Sequence, residues 1–341
     1  MRLPDCRRIG RTGTTACTSL ASALIHGYRP IIIDWLINEK APHELTRDEF
    51  MLARVEGMHN YLNETRHTRH DHDLVMRTDG SDVLFQLPPA HIAYTYSQMN
   101  AHRMAGQELV ITAADKGCTN EWLEHDICTS VPDSPLPSNA YGDEPSTHIF
   151  RHPRNRPRWV NAGMILGTAS NMRAFYETML TSADWKQVSD DQQPLNRMLA
   201  NGSDLFTLDY FSQLIWTGGS DFDNLKFVPV PRPLSGIQSM IPYGADLPRL
   251  GMAGATGEIP VMLHFNMYPG AHFCLDDHTK EEAIKIALKQ LWWSSGDERF
   301  RRTAQELLAA GRIVIHDEEN KEYTYAEICG ETVSESSFLE W

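Results

Sequence analysis

Short apolar runs alternate with amphipathic segments along most of the chain. The runs at 30–36, 108–113 and 160–167 are rich in apolar and β-branched residues, which predicts buried strands. Between the first two of them, Thr46-Arg47-Asp48-Glu49 has the pattern of a capping box. It opens a predicted helix whose apolar residues recur at helical spacing up to Leu62. Strands and helices alternate in this way through much of the sequence, so the pattern predicts an α/β fold.

The stretch at 74–87, LVMRTDGSDVLFQL, has an apolar run on either side of an acidic turn. Gly80 and Ser81 are small residues that allow the chain to turn, so Asp79 and Asp82 could both reach one hard cation. In an open α/β sheet, ligands also tend to bind at the carboxyl ends of strands. Asp and Gly are equally common in plain turns between two strands. This stretch alone therefore leaves a metal site and a simple turn both open.

A second group of metal-ligating side chains precedes that stretch, in the polar segment TRHTRHDHD at 65–73. Its histidines and aspartates are able to ligate a metal. A solvated loop is the stronger interpretation, because no helix or turn signal fixes these side chains. Convergence of the segment with Asp79 would instead favour a metal-dependent hydrolase.

Two later segments place polar groups beside predicted elements. SDDQQP at 189–194 opens a helix, where Asp190 is a natural cap and acids favour the first turn. PVMLHF at 260–265 predicts a strand that delivers His264 and Asn266 at its end. A lone histidine after a strand is more often a structural residue than a ligand. Taken singly, neither segment requires a functional explanation.

The two ends of the chain differ in character from its middle. Residues 1–16 are basic and contain no apolar run that could form a first strand, so the chain is expected to start inside a fold. A short helix is predicted at 17–25. Near the other end, amphipathic helices are predicted at 280–293 and 297–310, and a hairpin over 312–328.

Composition narrows the class of protein. At 341 residues with 22% charged residues, the chain resembles an ordinary globular protein that can bury a sizeable core. Its formal net charge of −14 argues against nucleic acid or an anionic membrane as the main partner. No apolar stretch is long enough to span a membrane, and no secretory signal peptide opens the sequence.

Cysteines and glycosylation motifs bear on the compartment. The six cysteines show no CxxC spacing, so a zinc knuckle is not expected. Cys118 and Cys128 are near neighbours in sequence, and whether they form a disulfide stays open. Two sequons, Asn63-Glu64-Thr65 and Asn201-Gly202-Ser203, permit a secretory protein without establishing one.

Four segments resemble, in this order, motifs of one enzyme family. The family is the glycosyltransferase domain of the procollagen lysyl hydroxylases and related collagen glycosyltransferase-like proteins. Its motifs are an apolar strand ending in Asp-x-x-Asp, a strand bearing Asn-Ser-Gly, an Asp-Asp-Gln run opening a helix, and a strand ending in His-Gly-Asn-Gly. The matching segments are TDGSD at 78–82, RWVNAGMILG at 158–167, SDDQ at 189–192 and PVMLHFN at 260–266.

The resemblance covers about residues 20–272 and implies a GT-A fold, a Rossmann-like nucleotide-sugar domain with a mixed central sheet. The first strand of the family's fold has no counterpart in this sequence. We therefore predict a GT-A-like domain at 17–272 and a C-terminal extension of helices and hairpin at 273–341 packed on it. The family's setting implies the secretory pathway, in the ER or Golgi. A membrane anchor is expected only if one lies upstream of Met1.

The implied activity is transfer of a hexose from a UDP-sugar to a hydroxyl of a protein or glycan acceptor. Asp79, Asp82 and His264 match the family's metal ligands, and two carboxylates with one imidazole suit Mn²⁺ (manganese) better than Ca²⁺. Asp190 and Asp191 match acids at the sugar and acceptor side, where one would act as base or orient the donor. The residues expected to contact the donor are Ser81, Asn161, Gly163 and Asn266.

Departures from the family's motifs favour an alternative. The family's Gly-Asn-Gly-Pro run after the histidine is here FNMYPG at 265–270, without either glycine around Asn266. No lysine follows until Lys280, and Ser81 stands where the family has a tyrosine that stacks on the base. Close backbone approach to a diphosphate depends on such glycines. A non-catalytic module that binds a nucleotide-sugar or glycan on the same fold is therefore the second interpretation.

Overall fold

The computed structural model describes residues 12–33, 46–104, 106–118, 125–142, 149, 152–183, 185, 188, 190–219, 221–229, 249–266, 277–291, 293, 298–316 and 320–330. Helices and strands alternate over this part of the chain, and sheets with both parallel and antiparallel pairs occur, which confirms the α/β class. The helices are α1 (Thr12–Ile25), α2 (Arg47–Glu64), α3 (Pro89–Met99), α4 (His125–Ser130), α5 (Ala169–Ser182), α6 (Gln192–Ala200), α7 (Asp277–Gln290), α8 (Glu298–Ala310) and α9 (Tyr325–Cys329). The strands are β1 (Ile31–Ile33), β2 (Leu74–Thr78), β3 (Val83–Phe85), β4 (Val110–Asp115), β5 (Trp159–Thr168), β6 (Phe206–Asp209), β7 (Ile215–Thr217), β8 (Leu225–Pro229), β9 (Arg249–Ala253), β10 (Met262–His264), β11 (Ile313–His316) and β12 (Glu322–Tyr323).

The described residues form two compact units, each assembled from separate stretches of the chain. Unit 1 takes its residues from 1–32, 79–94 and 212–341, and unit 2 takes its residues from 33–78 and 95–211. The chain thus passes between the units more than once. The domain boundary at residues 272 and 273 stays a prediction.

Unit 2 is built on a sheet with the strand order β2-β5-β4-β6 among the described residues. Strand β5 runs antiparallel to both neighbours, whereas β4 and β6 are parallel. Every residue of β5 is buried, as expected for a strand covered on both faces. A side chain at Gly167 would put its Cβ 3.0 Å from Val110, so glycine at this position permits the close approach of the Val110 side chain.

The helix starts in unit 2 follow local side-chain signals. The predicted capping box of α2 is confirmed, with Thr46 and Glu49 each bonding the other's backbone N–H. Helix α5 is capped by Thr168. Because β5 extends to Thr168 and the helix follows directly, the Thr168 hydroxyl accepts the cap bond from the N–H of Asn171. The Ser170 hydroxyl instead donates to the carbonyl of Asp71.

Unit 1 contains the sheet β3-β10-β7 and the antiparallel pair β8-β9 among its described residues. Strand β10 lies between its two neighbours, antiparallel to β3 and parallel to β7. The fully buried side chain of Gln86 links this sheet to β9. It donates to the carbonyls of Gly251 and Pro260 and accepts from the N–H of Gly251. All polar atoms of this side-chain amide are thus used within the core.

The hairpin predicted over 312–328 is only partly correct. Strands β11 and β12 pair antiparallel, with Ile313 opposite Tyr323. Beyond them, Thr324 and Glu327 form a capping box that starts α9, so the segment predicted as the end of the second strand is helical. Here the helix-start signal outweighs the alternating pattern of apolar residues.

Disulfides lie in both units. Cys118 is bonded to Cys128 of α4, a pairing on which the sequence alone is undecided. Cys17 is bonded to Cys329, which joins α1 to α9. Such bonds are compatible with an oxidising secretory environment. Across the described residues, none of the helices is both long and apolar enough to cross a membrane.

Candidate metal centre

The acidic turn between β2 and β3 is held by its pairing with β10. In this antiparallel pair Val83 lies opposite His264, and the N–H of Phe265 donates to the carbonyl of Asp82 at 2.8 Å. The backbone that carries Asp82 is therefore fixed against the backbone that carries His264. Two residues far apart in sequence are brought side by side by ordinary sheet pairing.

The loop after β7 supports His264 from its other side. The N–H of Gly218 donates to the carbonyl of His264 at 2.8 Å, and the N–H of Gly219 donates to Oδ1 of Asn266 at 2.8 Å. A Cβ at Gly218 would lie 2.8 Å from the ring of Trp216 and 3.2 Å from the His264 carbonyl oxygen. Only glycine fits this approach without displacing the ring or the backbone.

Trp216 connects that loop to the end of β10. Its buried ring packs edge-on against Phe265 with centroids 5.7 Å apart, and its indole N–H donates to Oδ2 of Asp221 at 2.9 Å. Asp221 in turn accepts a bond at Oδ1 from the amide of Asn224 at 2.8 Å. The strand end that carries His264 is thus held in a single geometry.

Asp79, Asp82 and His264 converge on one point of unit 1. Nε2 of His264 lies 3.5 Å from Oδ2 of Asp79 and 3.5 Å from Oδ1 of Asp82. The candidate ligand atoms of all three residues lie within 4.8 Å of one another. Their side chains are 27%, 10% and 2% exposed, in the order of the sequence. The group is therefore mostly shielded from water, with Asp79 as its most accessible member.

These separations suit a bound cation better than hydrogen bonds. At 3.5 Å the contacts exceed the usual N–H···O distance of about 2.9 Å. Within the described part of the chain, neither ring nitrogen of His264 has a hydrogen-bond partner, which is costly for a buried imidazole. Ligand atoms about 2.1 Å from one octahedral ion lie about 3.0 Å apart when adjacent and about 4.2 Å apart when opposite. The two distances from Nε2 of His264 to the carboxylate oxygens lie between these two values.

The electrostatics of the group also favour a positive charge. Burial opposes the imidazolium and lowers the pKa of His264, but the negative charges of Asp82 and Asp79 outweigh it and raise that pKa to about 9. A proton, or a cation in its place, is thus stabilised between the two acids. The structure shows a group that can hold a metal ion, which the sequence alone left undecided against a simple turn.

The histidine segment at 65–73 is not part of such a group. Among the described residues, the only group of three or more converging metal-ligating side chains is Asp79, Asp82 and His264. Within the segment, Asp71 is ion-paired with Arg173, and Oδ2 of Asp73 accepts from the N–H of His70 at 3.0 Å. These contacts are structural, so nothing supports a hydrolase built on this segment.

The predicted catalytic acids Asp190 and Asp191 belong to unit 2, just before α6. Oδ2 of Asp191 lies 3.4 Å from a guanidinium nitrogen of Arg54 and 3.3 Å from one of Arg77. Arg77 also donates to the carbonyl of Ala162 in β5. Both acids are buried, so Asp191 is a buried carboxylate held by two cationic side chains.

Asp190 has a different environment from its neighbour. Its Oδ1 accepts from the backbone N–H of Gln192 at 2.8 Å and from the Gln192 side chain at 3.1 Å. Burial and the adjacent charge of Asp191 raise the pKa of Asp190, against the effect of these hydrogen bonds. The predicted helix-cap role is thus partly met by Asp190, because its carboxylate satisfies the first turn of α6.

The predicted donor-binding residues divide between the units. In unit 2, Nδ2 of Asn161 donates to Asp115 at 3.1 Å and Oδ1 of Asn161 accepts from the N–H of Gly163 at 2.8 Å. In unit 1, Ser81 lies in the acidic turn, and the buried Asn266 follows β10. Ser81 and Asn266 are thus near the metal-binding residues in sequence and belong to the same unit.

Sequence reasoning missed the residues that support the predicted ones. Arg54 and Arg77, which hold Asp191, carried no local motif. Gly218 and Gly219 had a usable signal, since a Gly-Gly pair after an apolar strand often marks a close backbone approach. Asp115, at the end of β4, had the signal of an acid at a strand's carboxyl end.

Comparison with protein-family models and with curated proteins finds no match to this chain.

Proposed function

We propose that the chain is a metal-dependent glycosyltransferase with a GT-A fold. In this proposal it transfers a hexose from a UDP-sugar to a hydroxyl of a protein or glycan, in the secretory pathway. The observation that supports it is the convergence of Asp79, Asp82 and His264, which match the family's metal ligands in type and order. Two carboxylates and one imidazole favour Mn²⁺ as the ion.

The bound ion would supply neutralisation of the negative charge that builds on the leaving UDP. The protein's part is to hold the ligands ready. His264 and Asp82 are fixed by the β3–β10 pairing and by the Gly218 loop, so little reorganisation accompanies binding. Ser81 and Asn266 keep the donor-side roles that the resemblance implies.

In unit 2, the two acids suit different roles. Asp191 is oriented by Arg54 and Arg77 and keeps its charge paired. The raised pKa of Asp190 makes it a better proton acceptor than an ordinary carboxylate, as a base acting on an acceptor hydroxyl requires. We therefore assign the base role to Asp190 and the positioning role to Asp191. Asn161 and Gly163 keep their implied role beside the sugar.

The test begins with metal and donor binding. Calorimetric titration with Mn²⁺ and then with a panel of UDP-sugars should show metal-dependent nucleotide binding. The UDP-sugar that binds best should also be hydrolysed slowly. Asp79→Ala and Asp82→Ala should abolish both. Asp204→Asn, an exposed acid outside the site, is the matched control and should bind as the unaltered chain does. Absence of nucleotide binding, or unchanged metal affinity in the two alanine variants, would refute the proposal.

A non-catalytic module is the second candidate, and the segment after β10 favours it. Asn266 is buried and its side-chain oxygen is used by the N–H of Gly219, where the family has an asparagine between glycines. Binding of Mn²⁺ and UDP without hydrolysis or transfer to any hydroxyl acceptor would support this candidate. Sustained turnover would exclude it.

A further inference from the structure

The two sequons lie in contrasting environments of unit 2. Asn63-Glu64-Thr65 falls at the end of α2, whereas Asn201-Gly202-Ser203 forms the turn after α6. An attached glycan is bulky and hydrophilic, so it needs an exposed asparagine whose side chain the fold does not use.

The turn at Asn201 satisfies its own backbone. The N–H of Gly202 donates to the carbonyl of Leu199 at 3.0 Å, and the N–H of Ser203 donates to the carbonyl of Met198 at 3.0 Å. Gly202 has φ +74°, so the turn is a Schellman motif with glycine in the left-handed position. The helix end is thus closed by backbone bonds, and within the described part of the chain the Asn201 side chain makes no hydrogen bond there.

The surroundings of that turn are open. Asn201 and Gly202 are both exposed. A Cβ built on Gly202 would meet nothing within 4 Å, so space is available directly beside Asn201. A glycan here would project from a surface turn without disturbing a packed residue.

Asn63 fails the same criterion. It is partly buried in the last turn of α2, and its Nδ2 makes a hydrogen bond of 3.1 Å with the ring of His59. Nδ2 is the atom that would carry the sugar. The hydroxyl of Thr65 is also used, since it donates to the carbonyl of Tyr61 at 2.7 Å. Glycosylation would therefore replace native contacts at the end of this helix.

We infer that Asn201 is an N-glycosylation site and that Asn63 is not. The donor class is a lipid-pyrophosphate-linked oligosaccharide. Nδ2 of Asn201 forms a bond to the anomeric carbon, the bond from that carbon to the pyrophosphate oxygen breaks, and the lipid pyrophosphate leaves with the electron pair while the amide loses one proton. This inference rests on the proposed secretory location and not on the proposed glycosyltransferase activity, because it concerns the chain as a substrate.

The experiment directs the full chain into a eukaryotic secretory host behind a cleavable signal and compares gel mobility before and after treatment with peptide N-glycosidase. The unaltered chain should lose the mass of one glycan. Asn201→Gln and Ser203→Ala should each remove the whole shift, whereas Asn63→Gln and Thr65→Ala should leave it unchanged. Mass spectrometry should find aspartate at position 201 after the treatment.

Translocation is checked by the mobility change on reduction, which reports the disulfide between Cys17 and Cys329. Ser203→Ala keeps Asn201 in place, so loss of the shift in that variant cannot arise from removal of the asparagine itself. An oxidised, secreted chain with no glycosidase-sensitive shift would overturn the inference. Equal attachment at Asn63 would overturn it as well, since the contrast between the two sites would then be wrong.

Discussion

The acids of unit 1 and the acids of unit 2 show two ways of burying paired carboxylates. In unit 2, Asp191 lies against the guanidinium groups of Arg54 and Arg77, which carry a permanent positive charge. In unit 1, Asp79 and Asp82 face an imidazole, which is charged only when it binds a proton. In unit 2, the guanidinium groups neutralise the buried carboxylate without a bound ion. In unit 1, the imidazole can lose its proton, so a metal ion can take the place of that proton between the two acids.

The largest expected effect comes from removing a ligand in unit 1. His264→Gln removes the imidazole while keeping a side chain of similar length, and we expect Mn²⁺ affinity to fall at least about 100-fold. Calorimetric titration measures the change. Arg77→Met removes a cationic partner of Asp191 in unit 2 and should leave the metal affinity nearly unchanged. Equal losses in both variants would remove the distinction between the two arrangements.

The free energy of unfolding should instead be sensitive to the cationic partners of Asp191 in unit 2. Arg77→Met leaves the buried Asp191 with one of its two guanidinium partners, and we expect the free energy of unfolding to fall by about 2–3 kcal/mol. Urea unfolding followed by circular dichroism measures it. Arg301→Met, which breaks the exposed pair with Glu298 in α8, should cost less than about 1 kcal/mol. If the two losses are similar, Asp191 does not depend on its buried pairing.

The support of His264 can be probed at two glycines. Gly218→Ala places a Cβ 2.8 Å from the Trp216 ring, and we expect a loss of about 1–3 kcal/mol in stability together with weaker metal binding. Gly80→Ala is the matched control, because its Cβ would meet nothing within 4 Å although the residue lies between the two acids. Thermal unfolding with and without Mn²⁺ separates the two effects. A Gly218 variant with unaltered metal affinity would show that the loop does not position His264.

Per pH unit, the smallest expected effect is that of pH on metal affinity. The pKa of His264 is raised to about 9, so the metal-free imidazole carries a proton at neutral pH that the ion must displace. Affinity should therefore rise by up to about tenfold per pH unit towards pH 9 and level off above it. The proton's own contribution to metal-free stability has the opposite sign: it is complete below the unfolded pKa of about 6.5 and is lost as pH rises through about 9.

Calorimetry in buffers of different ionisation enthalpy tests this prediction, because it counts the protons released on binding. Release of about one proton at pH 7 is expected. Binding without proton release would mean that His264 is neutral before the ion arrives, and the electrostatic contrast with unit 2 would then be weaker than described.

Much of the fold could be predicted from local signals. The strand at 160–167 is evident because a continuous apolar run matches a strand covered on both faces, and β5 is buried throughout. The capping box at Thr46 is likewise a local interaction. Thr168 was missed as a cap because the boundary between β5 and α5 depends on where the strand stops pairing. The pairing partner lies elsewhere in the chain.

The sequence could predict the candidate metal-ligating residues. It could not predict the residues that hold the predicted acids in place. Asp79 and Asp82 stand in one turn, so a single segment contains the pattern, and the motif order added His264. Arg54 and Arg77 come from α2 and β2 and meet Asp191 only in the folded unit. The disulfide from Cys17 to Cys329 is equally beyond local inference, because it joins residues separated by 312 positions.

That disulfide gives the chain the connectivity of a ring. A chain-entropy estimate for closing a loop of this length is about 5–6 kcal/mol, near the upper limit for one bond. A protease that cuts one exposed turn inside the ring, such as the turn at Gly202, therefore leaves a single covalent molecule. On a denaturing gel without reductant, the cut protein should run as one species of full mass. After reduction, it should run as two fragments.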